Sequence, residues 1–146
     1  MRPSPRERIN VIIVLLSGLL MRREAEDWWK QANEDLKTAV VNMKNARYYA
    51  RVFFSQQAGE KALKALYIEE KRMLPARRHN MIQLSKLLRA PKPVVEAALE
   101  LNPEYLVTRY PNAAAGVPEQ MYNRNLALIH LRSARRVLKW VGNSLK

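Results

Sequence analysis

Apolar residues recur every three or four positions along most of this chain, which is the spacing of a helix that buries one face. The spacing predicts helices over 24–44, 47–72, 81–88, 94–101 and 118–144. Asn45 is placed to end the first helix, and Asn80 is placed to cap the third. Residues 103–117 carry proline and glycine with little periodicity, so we expect an ordered loop there. The pattern predicts an all-α protein whose last helix has a seam for antiparallel packing.

The first 23 residues differ from the rest. Ile9–Leu20 is mostly apolar and has arginines on both sides. A membrane-spanning helix needs about 20 apolar residues, so this run is too short. A signal peptide would carry small residues where Arg22 and Arg23 stand. We interpret 1–23 as a helical extension that packs on the domain of residues 24–146 or on a second subunit, with Met21 as an alternative natural start.

Positive charge dominates the composition. Lys and Arg number 26 against 13 Asp and Glu, a formal net charge of +13. Such a field attracts nucleic acid, nucleotides or an acidic protein partner, although a heat-adapted, arginine-rich surface is an alternative explanation. The absence of cysteine excludes disulfides, thiolate nucleophiles and cysteine-based zinc sites, and with only two histidines we expect neither a metal site nor a cofactor.

The second predicted helix contains the run FFSQQAGEKALKAL over Phe53–Leu66, which resembles the signature helix of the HEPN family (higher eukaryotes and prokaryotes nucleotide-binding). Other segments are similar in the same order over about residues 24–145: Trp28–Leu36, the helix that begins at His79, Thr108–Pro111, and Tyr122–Val141. The resemblance implies an up-and-down bundle of four to five helices, to which residues 1–23, outside the resemblance, add an extra N-terminal helix. It also implies a homodimer, often encoded beside a minimal nucleotidyltransferase in a toxin–antitoxin pair. We expect the protein to be cytoplasmic.

The resemblance also implies candidate catalytic residues, because some members cleave RNA with an arginine, a polar residue and a histidine on the last helix. Arg124, Asn125 and His130 fit that order. His130 would transfer a proton, Arg124 would stabilise phosphate charge, and Asn125 would orient either group. Six residues place Arg124 and His130 about 120° apart and roughly 9 Å along a helix, so a packed histidine is the alternative.

Two further sets of side chains are candidates for phosphate contacts. Arg132, Arg135, Arg136 and Lys139 fall on one side of the last helix, and no acidic residue follows Glu119. Alternatively, acidic side chains from residues 24–35 or from a partner neutralise this strip. Arg109 and Tyr110 precede Pro111, which restricts Tyr110 to extended geometry, so the pair is placed either to hold a phosphate and stack a base or to pin the loop.

Polar residues within the apolar frame of the second helix form another candidate set. Two interpretations are open: a network that fixes helix or dimer register, or contacts to a nucleotide. We favour the network. Its predicted members are Gln56, Gln57, Glu60 and Lys64 on the second helix, together with His79 at the start of the third.

Three functions follow from these features. The first is a nucleotide- or nucleic-acid-binding module paired with a nucleotidyltransferase. The alternatives are a metal-independent endoribonuclease that uses Arg124 and His130, and a non-catalytic protein-interaction module. Membrane anchoring is the least favoured, and we expect no membrane partner.

Overall fold

The computed structural model describes residues 1–77 and 80–146, and every regular element in these ranges is helical. The elements in chain order are α1 (Pro5–Lys44), α2 (Tyr48–Lys71), α3 (Met81–Leu87), α4 (Lys92–Leu101), α5 (Glu104–Val107), α6 (Pro111–Ala114), a single 3-10 turn (Pro118–Gln120) and α7 (Arg124–Ser144). The predicted all-α bundle is confirmed.

The centre of the bundle is α2, which packs against α1, α3, α4, α5 and α7. Its buried side includes Ala58, Ala62 and Leu66, and these meet Ala134 and Val137 of α7 in one continuous core. The apolar positions of α2 cover a wide arc of its surface, which is typical of a helix that is packed on several sides. At its first turns the buried residues include Arg51, Val52 and Ser55, whereas Ala50 and Phe54 are only partly buried.

The N-terminal segment continues directly into the first predicted helix, so that α1 is one helix of 40 residues. Ser4 caps it through a capping box, since its hydroxyl accepts from the amide of Glu7 while the Glu7 carboxylate accepts from the amide of Ser4. The large apolar side chains between Ile9 and Leu20 are exposed, and the first buried residue of α1 is Ala25. The rest of the single chain therefore does not cover these side chains. Packing on a second subunit stays a prediction.

The region before the last helix is more structured than predicted. The expected loop over 103–117 contains the short helices α5 and α6. The last helix begins at Arg124, not at Pro118. Pro118 opens only a 3-10 turn, and α7 then starts at the extended Asn123, whose side chain accepts a hydrogen bond from the amide of Leu126 at 2.9 Å. This cap fixes the direction of α7 and the side on which each of its arginines emerges.

Trp28 and Trp29 are adjacent in α1 and therefore lie on different faces of the helix. Trp29 packs against the core, where its ring lies so close to α7 that a Cβ at Gly142 would stand 3.3 Å from it. Trp28 is half-buried, donates from Nε1 to Glu24 at 3.2 Å, and lies 5.2 Å from Nζ of Lys64.

None of the helices in the described ranges combines the length and the apolar content that crossing a bilayer requires.

Candidate functional site

Arg51 is a cation at a core position of α2. It is only 3% exposed, and its Nε and Nη1 have no hydrogen-bond partner. Ser55, one turn further along α2, is fully buried and its hydroxyl oxygen is also without a partner. A buried charge that lacks an acceptor costs several kcal/mol. The fold therefore holds a guanidinium in place before any anion meets it.

Two more arginines stand close to this buried cation. Burial lowers the pKa of the Arg51 guanidinium below its ordinary value, and the charges of Arg135 and Arg124 on α7 lower it further. Arg124 and Arg135 are eleven residues apart, which places them about 20° apart around a helix, so both face the same side of α7. We call Arg51, Arg124 and Arg135 the cation cluster. Eleven residues span about 16 Å of helix axis, so an anion at Arg51 would offset the repulsion that Arg51 feels from each arginine without bridging all three.

The cation cluster continues along α7 into the predicted basic strip. At 100° per residue, the cations of α7 from Arg124 to Lys139 fall within about 120° of the helix surface. Arg132, Arg135, Arg136 and Lys139 are all exposed. Within residues 1–77 and 80–146, no carboxylate comes within 4.0 Å of a charged nitrogen of these residues, of Arg51 or of Arg124.

Three of the five acids in residues 24–35, the alternative partners of the strip, have partners elsewhere. Asp35 is buried and contacts Lys61 at 2.5 Å, and Glu34 contacts Lys37 at 2.8 Å. Glu24 accepts the hydrogen bond from Trp28. In the part of the chain that the structure describes, Glu26 and Asp27 form no ion pair with the strip within 4.0 Å, although Glu26 lines a pocket together with Lys139. No acid of the fully described helix α1 therefore makes a direct ion pair with the strip.

His130 lies on the other side of α7 from the strip. It is 3% exposed, its Nδ1 lies 2.7 Å from the carbonyl oxygen of Leu126, and its Nε2 lies 3.2 Å from Oε1 of Glu104. A carbonyl and a carboxylate both accept, so both ring nitrogens are placed to donate, as a protonated imidazole does. Glu100 adds a second carboxylate at 3.7 Å.

The electrostatics of this cluster agree with that protonation. Burial lowers the pKa of His130, but the hydrogen bonds with Glu104 and Leu126 and the charges of Glu104 and Glu100 raise it above the ordinary value overall. Tyr122 donates its hydroxyl to the other oxygen of Glu104, and burial together with this bond raises the pKa of the phenol. The group ties α7 to α5 and to the turn before α7.

The predicted catalytic residues are therefore distributed over two places. Arg124 stands beside Arg51 in the cation cluster, and Asn125 is exposed next to it. His130 is buried among the carboxylates that it contacts through Nε2. The regular helix from Arg124 to Ser144 keeps Arg124 and His130 on different sides, as their six-residue spacing predicts.

Arg109 and Tyr110 lie in different environments. The Arg109 guanidinium stacks between two rings, 4.7 Å from Phe53 and 4.3 Å from Tyr105, and its buried Nε has no partner. Tyr110 is 49% exposed. Arg109 thus pins the loop onto α2 through cation–π contacts, whereas Tyr110 is free to meet a ligand.

The polar residues of α2 are joined along one side of the helix. Nε2 of Gln57 donates to Oε1 of Gln56 at 2.7 Å, and Nε2 of Gln56 donates to Glu60 at 3.2 Å. Lys64 contacts Glu60 at 3.0 Å, the i,i+4 pair that the spacing predicts. The prediction for His79 lies outside the described residues.

Sequence reasoning missed Arg51, Glu104 and Tyr122. A signal for Arg51 was present, because Arg51, Ser55, Ala58 and Ala62 follow each other at spacings of four and three, which is the buried stripe itself. An arginine at a buried position of this stripe is expected either to pair with a carboxylate of the protein or to bind an anion from outside it. For Glu104 no local signal existed, since its partners are 18 and 26 residues away in the chain.

Comparisons with known proteins agree with one another. The family model of the HEPN domain matches residues 25–144. The crystal structure of TT1696 from Thermus thermophilus is similar at 35% identity and a TM-score of 0.73, over 82% of this chain and 96% of that one. The structure of ST0689, an archaeal HEPN homologue, is similar at 32% identity and a TM-score of 0.73, over 84% of this chain and 98% of that one. A search of the curated proteins gives no match.

Proposed function

This chain belongs to the HEPN family, and we propose that it is a nucleic-acid-binding module in which a phosphate of RNA binds at Arg51 of the cation cluster. The proposal rests on Arg51, whose buried Nε and Nη1 have no hydrogen-bond partner and which is repelled by the charges of Arg135 and Arg124. Proteins rarely keep a buried charge without an acceptor, so an anion from outside the chain is the expected partner.

The strip on α7 extends this site from a single phosphate to a polymer. Arg124 and Lys139 are fifteen residues apart, or about 22 Å along the helix axis. A single bound nucleotide does not span that distance, whereas the backbone of an RNA strand does. Exposed cations without carboxylates also fit phosphate contacts that position a nucleic acid without reading its bases.

The endoribonuclease alternative gains less support from the geometry. Catalysis by Arg124 and His130 needs both groups at one phosphodiester, but His130 already uses both ring nitrogens within the bundle. We therefore assign His130 to the stability of the bundle. RNA cleavage in the presence of a chelator that is lost in His130→Gln would contradict this assignment.

We further propose that the module works as a homodimer beside a minimal nucleotidyltransferase, as in toxin–antitoxin pairs. The support is membership of the family, together with apolar side chains of α1 that stay exposed in the single chain. Sedimentation at micromolar concentration tests the dimer, and a neighbouring nucleotidyltransferase gene whose product copurifies with the protein tests the pair.

Binding is tested by anisotropy of a labelled single-stranded RNA at several salt concentrations. The variant Arg124→Ala/Arg135→Ala removes two cations of the cluster, and Lys30→Ala/Lys44→Ala removes two exposed cations of α1 as a control of equal charge. We expect the first variant to bind more weakly and to reduce the slope of log K against log salt by about 1.4, from about 0.7 per phosphate contact. Equal losses in both variants, or no binding at low salt, would refute the proposal. Binding of an acidic protein instead of RNA would favour the protein-interaction alternative.

A further inference from the structure

The strip on α7 borders a groove that the cation cluster alone does not explain. The groove has a volume of about 440 Å³ and lies between the C-terminal half of α7 and the start of α4. Its lining includes Pro91, Pro93, Arg135, Arg136, Lys139 and Trp140. Arg135 belongs both to this groove and to the cation cluster, so the two places are continuous.

The groove combines the two chemistries of a nucleotide unit. Arg135, Arg136 and Lys139 supply charge for phosphates. Trp140 supplies an aromatic ring, and because it packs against the core from a partly buried position, its indole is held in place before a ligand arrives. The exposed Pro91 and Pro93 stand on the α4 side of the groove and offer flat apolar rings there.

We infer that this groove is a base-stacking subsite for single-stranded RNA, in which an unpaired base lies against Trp140 while its flanking phosphates contact Arg135 and Lys139. The inference rests on the proposed function, because the strand reaches the groove along the strip. Stacking on an aromatic side chain tolerates any base, since every base has a π face. A duplex buries its bases in its own stack and does not offer one to the groove.

The arrangement excludes two other occupants. A free phosphate has no apolar surface, so it would leave the rings of Trp140, Pro91 and Pro93 without a contact. A purely apolar peptide would leave three cations unpaired beside it. A strand that carries both phosphates and unpaired bases has partners for the three cations of the groove and for its aromatic and proline rings.

The test compares a single-stranded RNA with an oligonucleotide of the same length that keeps the phosphates but lacks the bases. We expect the intact RNA to bind about 5- to 150-fold more tightly, the range for stacking one base. It should also quench tryptophan emission, whereas the abasic strand should not. The salt dependence of the two ligands should be equal, because both carry the same phosphates.

Two variants assign the effect to Trp140. Trp140→Phe keeps an aromatic ring in the core, and the quenching should vanish in it, while Trp28→Phe should retain the quenching. In Trp140→Leu the preference for the intact strand should fall toward one, a ratio that a general loss of folded protein does not imitate.

The outcomes separate this inference from the proposed function. Equal, salt-dependent binding of both strands without quenching would overturn the subsite and leave the phosphate site standing. Quenching that persists in Trp140→Phe would also overturn it. Failure of both strands to bind at low salt would refute the proposed function, and the subsite with it.

Discussion

His130 on α7 and Glu104 on α5 meet at 3.2 Å between Nε2 and Oε1, with 4% and 13% of their side chains exposed. The other oxygen of Glu104 accepts the hydroxyl hydrogen of Tyr122. A shielded carboxylate with two donors is well satisfied, so this contact holds the start of α7 in place. The direction of Arg124 depends on that placement.

The protonation of His130 makes the stability of the protein depend on pH. The folded pKa of His130 lies above its ordinary value of 6.5. Its contribution is therefore fully present below about pH 6.5, the unfolded value, and is lost as pH rises through the folded pKa. Urea unfolding should show a lower free energy of unfolding above that pKa than at about pH 6. In His130→Gln this slope should flatten, and an unchanged slope would assign it to another group.

Arg51 should reduce the stability of the protein while it serves binding. Replacing a buried, unpaired cation by an apolar side chain of similar length removes its desolvation cost. Arg51→Met should raise the free energy of unfolding by about 1 kcal/mol or more, and the melting temperature by about 3 °C. The same variant should bind RNA more weakly.

Thermal melting and RNA anisotropy measure the two effects on one preparation of Arg51→Met. Arg23→Met, at an exposed position of α1, is the matched control and should change neither quantity much. A less stable Arg51→Met protein would mean that an acceptor within the native assembly already satisfies the guanidinium.

The buried ion pair between Asp35 of α1 and Lys61 of α2 should contribute more to the free energy of unfolding than the exposed pair between Glu34 and Lys37. Asp35 is 4% exposed, contacts Lys61 at 2.5 Å and accepts from Gln31 at 2.9 Å. Asp35→Ala leaves Lys61 without its partner and should cost about 2–4 kcal/mol of unfolding free energy. Glu34→Ala, which removes the exposed pair with Lys37, should cost less than about 0.5 kcal/mol. Equal losses in a denaturant titration would contradict this ranking.

The N-terminal half of α1 should contribute little to the stability of the bundle. Its large apolar side chains are exposed, and burial on α1 begins at Ala25. A chain that starts at Met21 should therefore melt within about 2 °C of the full chain, because surface changes away from packed contacts are nearly neutral. A large drop in melting temperature, together with loss of a dimer in sedimentation, would show that these side chains pack on a second subunit.

Helical periodicity predicts most of the fold because it depends only on neighbours in sequence. The caps at Asn45 and Asn80 lie where the sequence places them, and α2 is the central helix. The start of α7 could not be predicted in this way. Pro118 is a good first residue for any helical turn, and only the extended backbone of Asn123 decides where the long helix begins.

The candidate site is less predictable because it depends on contacts between distant residues. The strip on α7 follows from spacing alone, and its cations do lie on one side of the helix. That α1 leaves the strip unpaired could be learned only from the positions of Asp35 and Glu34 in the fold. Likewise, the environment of His130 comes from Glu104, whose approach depends on how α5 folds back.

The salt dependence of RNA binding, measured by anisotropy for the wild-type chain, tests most directly whether Arg51 and the cations of α7 bind RNA phosphates. The cations on α7 together with the buried Arg51 predict binding at low salt and a slope of log K against log salt of about −4 for a single strand. Arg124→Ala/Arg135→Ala should bring the slope to about −3 or shallower. A wild-type chain that does not bind RNA at low salt, or a slope that these two substitutions leave unchanged, would contradict the account.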